Sequence, residues 1–172
     1  MHENQRKKWN AEKLAELYPP FGDKIGAILI ELESFGFRPR IQEAWRSEAD
    51  QLKAFNSGHS QLKFGFHNVT GANGRKESLA IDLVDDDIIN NRKTKYSSAE
   101  FLLRLEAATR RQGLMTGISF GLEKFQGAME LIEAAISNGD FLAPIKHFGW
   151  DPGHIQPRDM TAIDAKKGKR PF

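Results

Sequence analysis

The sequence predicts an α+β fold, with several helices around a small, mostly antiparallel sheet, and three observations lead there. Apolar residues recur at helical spacing in long stretches, short strand-like segments separate those stretches, and an Asn-Gly pair signals a hairpin, which joins antiparallel strands. With 172 residues, 40% of them hydrophobic, the chain can bury one sizeable core, whereas two full domains would each be cramped. One domain over 1–172 is expected, with a flexible basic tail after about 157.

After the "YPPFG" stretch, Phe21, Ile25, Ile28, Leu29, Leu32 and Phe35 fall on one helical stripe, and Gly36 supplies the stop. "RIQEAW" alternates as a strand. Ser47 with Asp50 then opens a helix that Gly58 closes, so Arg46 lies at a strand-to-helix junction. The hairpin region spans 64–87, and "DDDIINNRKTKYSS" reads as a surface loop. Ser97 or Ser98 caps a third helix bearing Phe101, Leu102, Leu105 and Ala108, which Gly113 ends. "MTGISFGL" reads as a strand, "FQGAMELIEAAISNG" as a helix with Met129, Ile132 and Ile136 on one stripe, and "FGWDPGHIQ" as the last strand.

Lys and Arg exceed Asp and Glu by two, 25 against 23, which is far from the basic surface that nucleic-acid binding needs. No nucleic-acid partner is expected. The chain has no cysteine, so disulfides and thiolate metal sites are excluded and any ion must be held by His, Asp or Glu. The charged N-terminal stretch lacks the apolar core of a signal peptide, and no apolar run approaches the ~18 residues of a membrane span. Synthesis in a cytoplasm is therefore expected, with a separate delivery route for any work outside it.

Asn73-Gly74 predicts a two-residue type I′ turn, which would set His67 opposite Ala80 and make His67 and Asp82 diagonal neighbours on one face. Side chains so placed can converge on one Zn²⁺. An isolated His beside aromatic residues is also an ordinary core or surface histidine. Asp82, however, ends the apolar run "SLAID", and a buried carboxylate needs a metal or a cationic partner. In "GWDPGHIQ", Asp151 and His154 stand three apart, and Pro and Gly between them preclude a regular helix. His67, Asp82 and His154 make a three-ligand set with a fourth position open to water, and a carboxylate at Asp151 lies close enough to act as its base.

Taken together, three blocks resemble the zinc peptidase family of D-alanyl-D-alanine carboxypeptidases, vancomycin-resistance dipeptidases and phage-endolysin L-alanyl-D-glutamate endopeptidases, family fifteen of the metallopeptidases. "EAWRSEADQ" resembles the family's Tyr-Arg-Ser strand with its following Gln, the His and "LAIDL" block its His-x-x-Gly-x-Ala-x-Asp, and "FGWDPGHIQ" its terminal acid-x-x-His strand. The resemblance implies a hedgehog/D-Ala-D-Ala peptidase-like fold, Zn²⁺ on His67, Asp82 and His154, Asp151 as general base, Arg46 on the scissile carbonyl and its oxyanion, and Gln51 in support. It also implies peptidoglycan stem peptides as substrates and an endolysin-type L-alanyl-D-glutamate endopeptidase, of bacteriophage release or secreted delivery. A D-alanyl-D-alanine carboxypeptidase, and a non-catalytic wall-binding or phage structural module, are the alternatives. A monomer is expected.

The chain departs from the family pattern in three places. The family separates its first His and Asp by seven positions, whereas His67 and Asp82 stand fifteen apart, consistent with a lengthened hairpin. Gly65 replaces a small polar residue, and a helix is inserted before the last strand, where it is expected to shape the cleft. Of the other candidates, His59 reads as a surface cap, His147 as a neighbour of the last strand that can line the cleft or substitute as a ligand, and His2 as a disordered terminus. Trp45 and Trp150 read as core, with a substrate platform as the alternative, Arg46 has the bland alternative of pairing with Glu43 or Glu48, and Asp85 to Asp87 read as a solvated run with calcium as the alternative. The basic "KKGKRPF" end reads as solubilising, or as a contact for anionic envelope polymers.

Overall fold

The computed structural model describes residues 1–90 and 98–172. Among them the order is α1 (Glu3–Leu14), α2 (Pro19–Ser34), β1 (Pro39–Glu43), α3 (Glu48–Asn56), β2 (Ile81–Asp85), α4 (Asp86–Asn90), α5 (Ala99–Arg111), β3 (Leu114–Gly117), α6 (Ala128–Ser137), β4 (Asp151–Pro157) and α7 (Ala162–Lys166). The strands form one antiparallel sheet in the order β1-β2-β4-β3, so the fold is α+β as expected. No helix among the described residues is long and apolar enough to cross a membrane.

The apolar stripes produce the core. Phe21, Ile25, Ile28, Leu29 and Leu32 of α2 are buried, Pro19 presets its first turn, and Gly36 leaves it at φ +86°. Phe35, expected on that stripe, is instead the C-cap and 48% exposed, with the Arg104 guanidinium 4.0 Å above its ring. Ser47 and Ser98 cap α3 and α5 by accepting from the backbone N–H groups of Asp50 and Phe101. Helices α2 and α5 pack on each other and cover one face of the sheet, toward which Ile41, Ile81, Leu83 and Ile155 are buried.

Strand alternation then dictates what the other face carries. Ile81 pairs with Ile155 and Asp82 with His154, so Asp82 and His154 stand side by side on the face opposite the helices. Glu43 joins them across from Asp82 because β1 bulges at Gln42, between Ile41 and Glu43. The approach of β4 to β2 depends on Gly153, where a Cβ would lie 2.5 Å from the Leu83 carbonyl oxygen.

Three expectations are corrected, and one element is new: the N-terminal stretch is a helix, held by polar groups and not by an apolar stripe. Asn10 of α1 accepts from the Ile41 N–H and donates to the Pro39 carbonyl, Trp9 donates to the Ile41 carbonyl, and buried Arg6 donates to Pro39 O and ion-pairs with Glu3 and Glu33. These contacts satisfy the free edge of β1. The Asn-Gly turn is not type I′: only Gly74 has positive φ, and Gly71 N–H bonds Arg75 O while Gly74 N–H bonds Gly71 O. That three-residue loop ends in a left-handed Gly, and His67 lies on a 3-10 turn, Phe66–Asn68, not on a strand.

The acidic run is no solvated loop in its described part, since Asp85 ends β2 and Asp86, 1% exposed, binds Arg40 Nε at 2.7 Å and the Met1 amino group at 2.9 Å. Residues 91–97 of the expected loop, including Ser97, lie outside the described residues. The basic end carries α7, capped by Thr161, with Arg170 paired to Glu77 at 2.9 Å.

Gly153→Ala should force β4 away from β2 and destabilise the protein by about 1–3 kcal/mol. A urea unfolding midpoint equal to the wild type's would refute the close-approach account.

Candidate metal centre

Four chain segments meet on the open face of the sheet. The end of β1 supplies the Ala44 carbonyl and Arg46, the 3-10 turn supplies His67, and β2 and β4 supply Asp82 and His154. The turn is strapped to the β1–α3 junction by the Arg46 N–H to the His67 carbonyl (3.0 Å) and by Asn68 Nδ2 to the Arg46 carbonyl (2.9 Å). Ser78, buried beneath, donates to the Ala44 and Ala80 carbonyls and so ties the entry of β2 to the same junction.

These straps set the protonation of both rings. His67 Nδ1 sits 2.6 Å from the Ala44 carbonyl, which can only accept, so Nδ1 carries the hydrogen and the Nε2 lone pair faces inward. His154 Nε2 lies 3.0 Å from Gln156 Oε1, whose own amide nitrogen donates to Met115 Sδ, so the His154 Nδ1 lone pair faces inward. His67 Nε2 is then 3.4 Å from His154 Nδ1 and 3.5 Å from Asp82 Oδ1, while His154 Nδ1 is 3.0 Å from Asp82 Oδ1.

Such a triangle fits a metal ion. Bonds of ~2.0–2.1 Å at tetrahedral angles place neighbouring ligand atoms ~3.3–3.4 Å apart, close to all three edges. Doubly protonated rings are a poor substitute, because two imidazolium groups would face each other across the 3.4 Å edge. The charges respond accordingly. Burial pushes the Asp82 carboxyl up, but His67 and then His154 override it and hold Asp82 well below the usual carboxylate range. Burial alone would lower His67, and the Asp82 carboxylate reverses that and raises it.

The remaining expected residues line the same cavity, of about 440 Å³. Asp151 Oδ2 is 3.9 Å from His154 Nδ1, and burial, followed by the Asp82 charge, pushes its carboxyl up. Arg46 is clamped: Nε and Nη2 bind the Glu43 carboxylate and Nη1 donates to Gln51 Oε1 at 2.8 Å. Pairing with Glu43 and facing the cavity therefore coexist. Buried Gln51 in turn donates to Ser60 Oγ and the Leu62 carbonyl, fixing the 60–62 loop as one cavity wall.

The other candidates divide: His59 and Trp150 line this cavity, and the rest lie elsewhere. His147 stacks on Phe125 at 4.4 Å and is not a lining residue of this cavity, and α6, the inserted helix, packs on α5 without lining it. His59 bonds Ser57 Oγ beside the end of α3. Trp150, expected in the core, is 53% exposed at the cavity, and Trp45 is half-buried under Lys76. Sequence reasoning missed Gln156 and Ser78, and named Glu43 only as a pairing partner for Arg46. A Gln two residues after a strand His shares its face, a signal that could have found Gln156.

Neither a family model nor a curated protein sequence matches the chain. Among solved structures, the crystal structure of Serratia marcescens L-Ala D-Glu endopeptidase ChiX is similar to it, with a TM-score of 0.50 and 15% identity over 87% of this chain and 86% of that one. At that identity the likeness shows a shared fold.

Proposed function

We propose that the protein is a zinc-dependent hydrolase of peptidoglycan stem peptides, acting as an endolysin-type L-alanyl-D-glutamate endopeptidase on the cell wall after release or delivery. The observation that carries this reading is the His67–Asp82–His154 triangle, whose edges of 3.0 to 3.5 Å suit a tetrahedral ion and whose open side faces a cavity holding Asp151 and Arg46. A structural neighbour named as an L-Ala D-Glu endopeptidase supports it.

His67 Nε2, Asp82 Oδ1 and His154 Nδ1 would hold the ion. When bound, zinc supplies a Lewis acid that polarises an amide carbonyl and makes water more acidic. Asp151, whose carboxyl is pushed up by burial and by the Asp82 charge, takes a proton from the attacking water at Oδ2 and returns it to the leaving amine. Arg46 has five N–H groups, three of them engaged by Glu43 and Gln51, so one on each terminal nitrogen is left to hold the developing oxyanion. Glu43 and Gln51 fix the plane of that guanidinium before substrate arrives.

Purified peptidoglycan digested with the protein, then resolved by mass spectrometry of the muropeptides, should show new L-Ala and D-Glu ends that a chelator abolishes. Release of D-Ala alone would mark a carboxypeptidase, and no release from any wall type would mark a binding module. Asp151→Asn should cut hydrolysis on the order of 10²–10⁴-fold with bound zinc unchanged, and loss of zinc in parallel would contradict its role as base. Gln156→Leu should weaken zinc binding roughly 10–100-fold, whereas an unchanged affinity would show that His154 needs no such partner.

Zinc affinity should fall as pH drops through the imidazole range, because protons compete for the ring lone pairs and Asp82 raises the pKa of His67. A flat affinity between about pH 8 and pH 5 would place the ion on other groups.

A further inference from the structure

We propose that Trp150 forms a shelf for a sugar ring, making the glycan-attached stem peptide, and not the free peptide, the preferred substrate; this rests on the hydrolase reading above. Trp150 immediately precedes Asp151, lines the cavity and keeps 53% of its surface exposed. Its position is built. The Trp150 N–H bonds the Phe120 carbonyl at 3.2 Å, the indole leans on the Phe120 ring with centroids 5.8 Å apart and 32° between planes, and Gly121 is a neighbour, where a Cβ would make ordinary contact with Trp150 Cδ1 at 3.6 Å.

One face of the indole is thus supported, and among the described residues its Nε1–H has no hydrogen-bond partner. A flat apolar plane with a free donor at its edge matches a pyranose, which offers a face of C–H groups ringed by oxygen acceptors. An acyl chain would leave that donor unsatisfied.

The spacing agrees with the bond assigned above. The His154 ring lies 6.0 Å from Phe120, and Phe120 lies 5.8 Å from Trp150, so the shelf stands two ring contacts from the ligand triangle. In peptidoglycan, the L-alanyl residue and a lactyl group separate the sugar from the L-Ala–D-Glu bond, about two residue lengths or ~7 Å when extended. With that bond at the triangle, the spacer and the width of the muramyl ring together extend toward the indole. A D-Ala–D-Ala bond at the far end of the stem would leave the sugar out of reach.

The test compares kcat/KM for N-acetylmuramyl-L-Ala-D-Glu-diamino-acid peptide with that for the same peptide lacking the sugar. The wild type should favour the glycosylated form roughly five- to tenfold, the ratio should collapse to near one in Trp150→Ala, and it should be intermediate in Trp150→Phe, which keeps a flat ring without the donor. A wild-type ratio near one, or a ratio unchanged in both variants, overturns the shelf. If the wild type cleaves neither compound, the hydrolase reading fails separately, and calorimetry of the same two ligands decides the shelf. Tighter binding of the glycosylated one, lost with Trp150, upholds it, and equal binding overturns it.

Discussion

Everything at the site depends on three electron-rich atoms being held where they repel one another unless a cation lies between them. His67 Nε2, His154 Nδ1 and Asp82 Oδ1 stand 3.0 to 3.5 Å apart, and with one hydrogen of each ring committed to Ala44 and Gln156 it is the inward nitrogens that are left to take an ion or a proton. Such an arrangement persists only if the surrounding structure over-determines it. The fold supplies that constraint from backbone pairing: Asp82 is registered directly against His154, and His67 is strapped to the strand-to-helix junction that also carries Arg46.

The scaffold reaches this arrangement by two kinds of packing. On the helix-covered face, α2 and α5 bury the apolar residues of the sheet, and this hydrophobic layer carries the stability. On the open face, positions are set by hydrogen bonds that leave little slack: Ser78 under the junction, Asn68 across it, and Gln51 between Arg46 and the 60–62 loop. The site is therefore stiff where ligands and the guanidinium must converge, while its wall on the Trp150 side is exposed to solvent.

How much of this the sequence discloses follows from the same division. Helices with an apolar stripe, α2, α5 and α6, are legible because burial writes itself into a 3.6-residue period, and their serine caps and glycine stops are local chemistry. Helix α1 is not legible, since Arg6, Trp9 and Asn10 dock it through polar groups to a strand edge that only the fold creates. The three residues that converge here are legible from residue types together with the family resemblance, because cysteine is absent and an apolar run ends on Asp82. The hairpin does not produce their geometry: the Asn-Gly loop closes with one left-handed residue instead of two, and His67 meets Asp82 from a 3-10 turn. Glu43 enters only through a bulge, which leaves no mark in the pattern of the strand.

The most direct measurement is the crystal structure of the zinc-soaked protein with data collected on both sides of the zinc absorption edge. The account predicts one anomalous peak bonded at once to His67 Nε2, Asp82 Oδ1 and His154 Nδ1, at ~2.0–2.2 Å from each. A peak elsewhere, or a His154 ring turned to present Nε2, would contradict it.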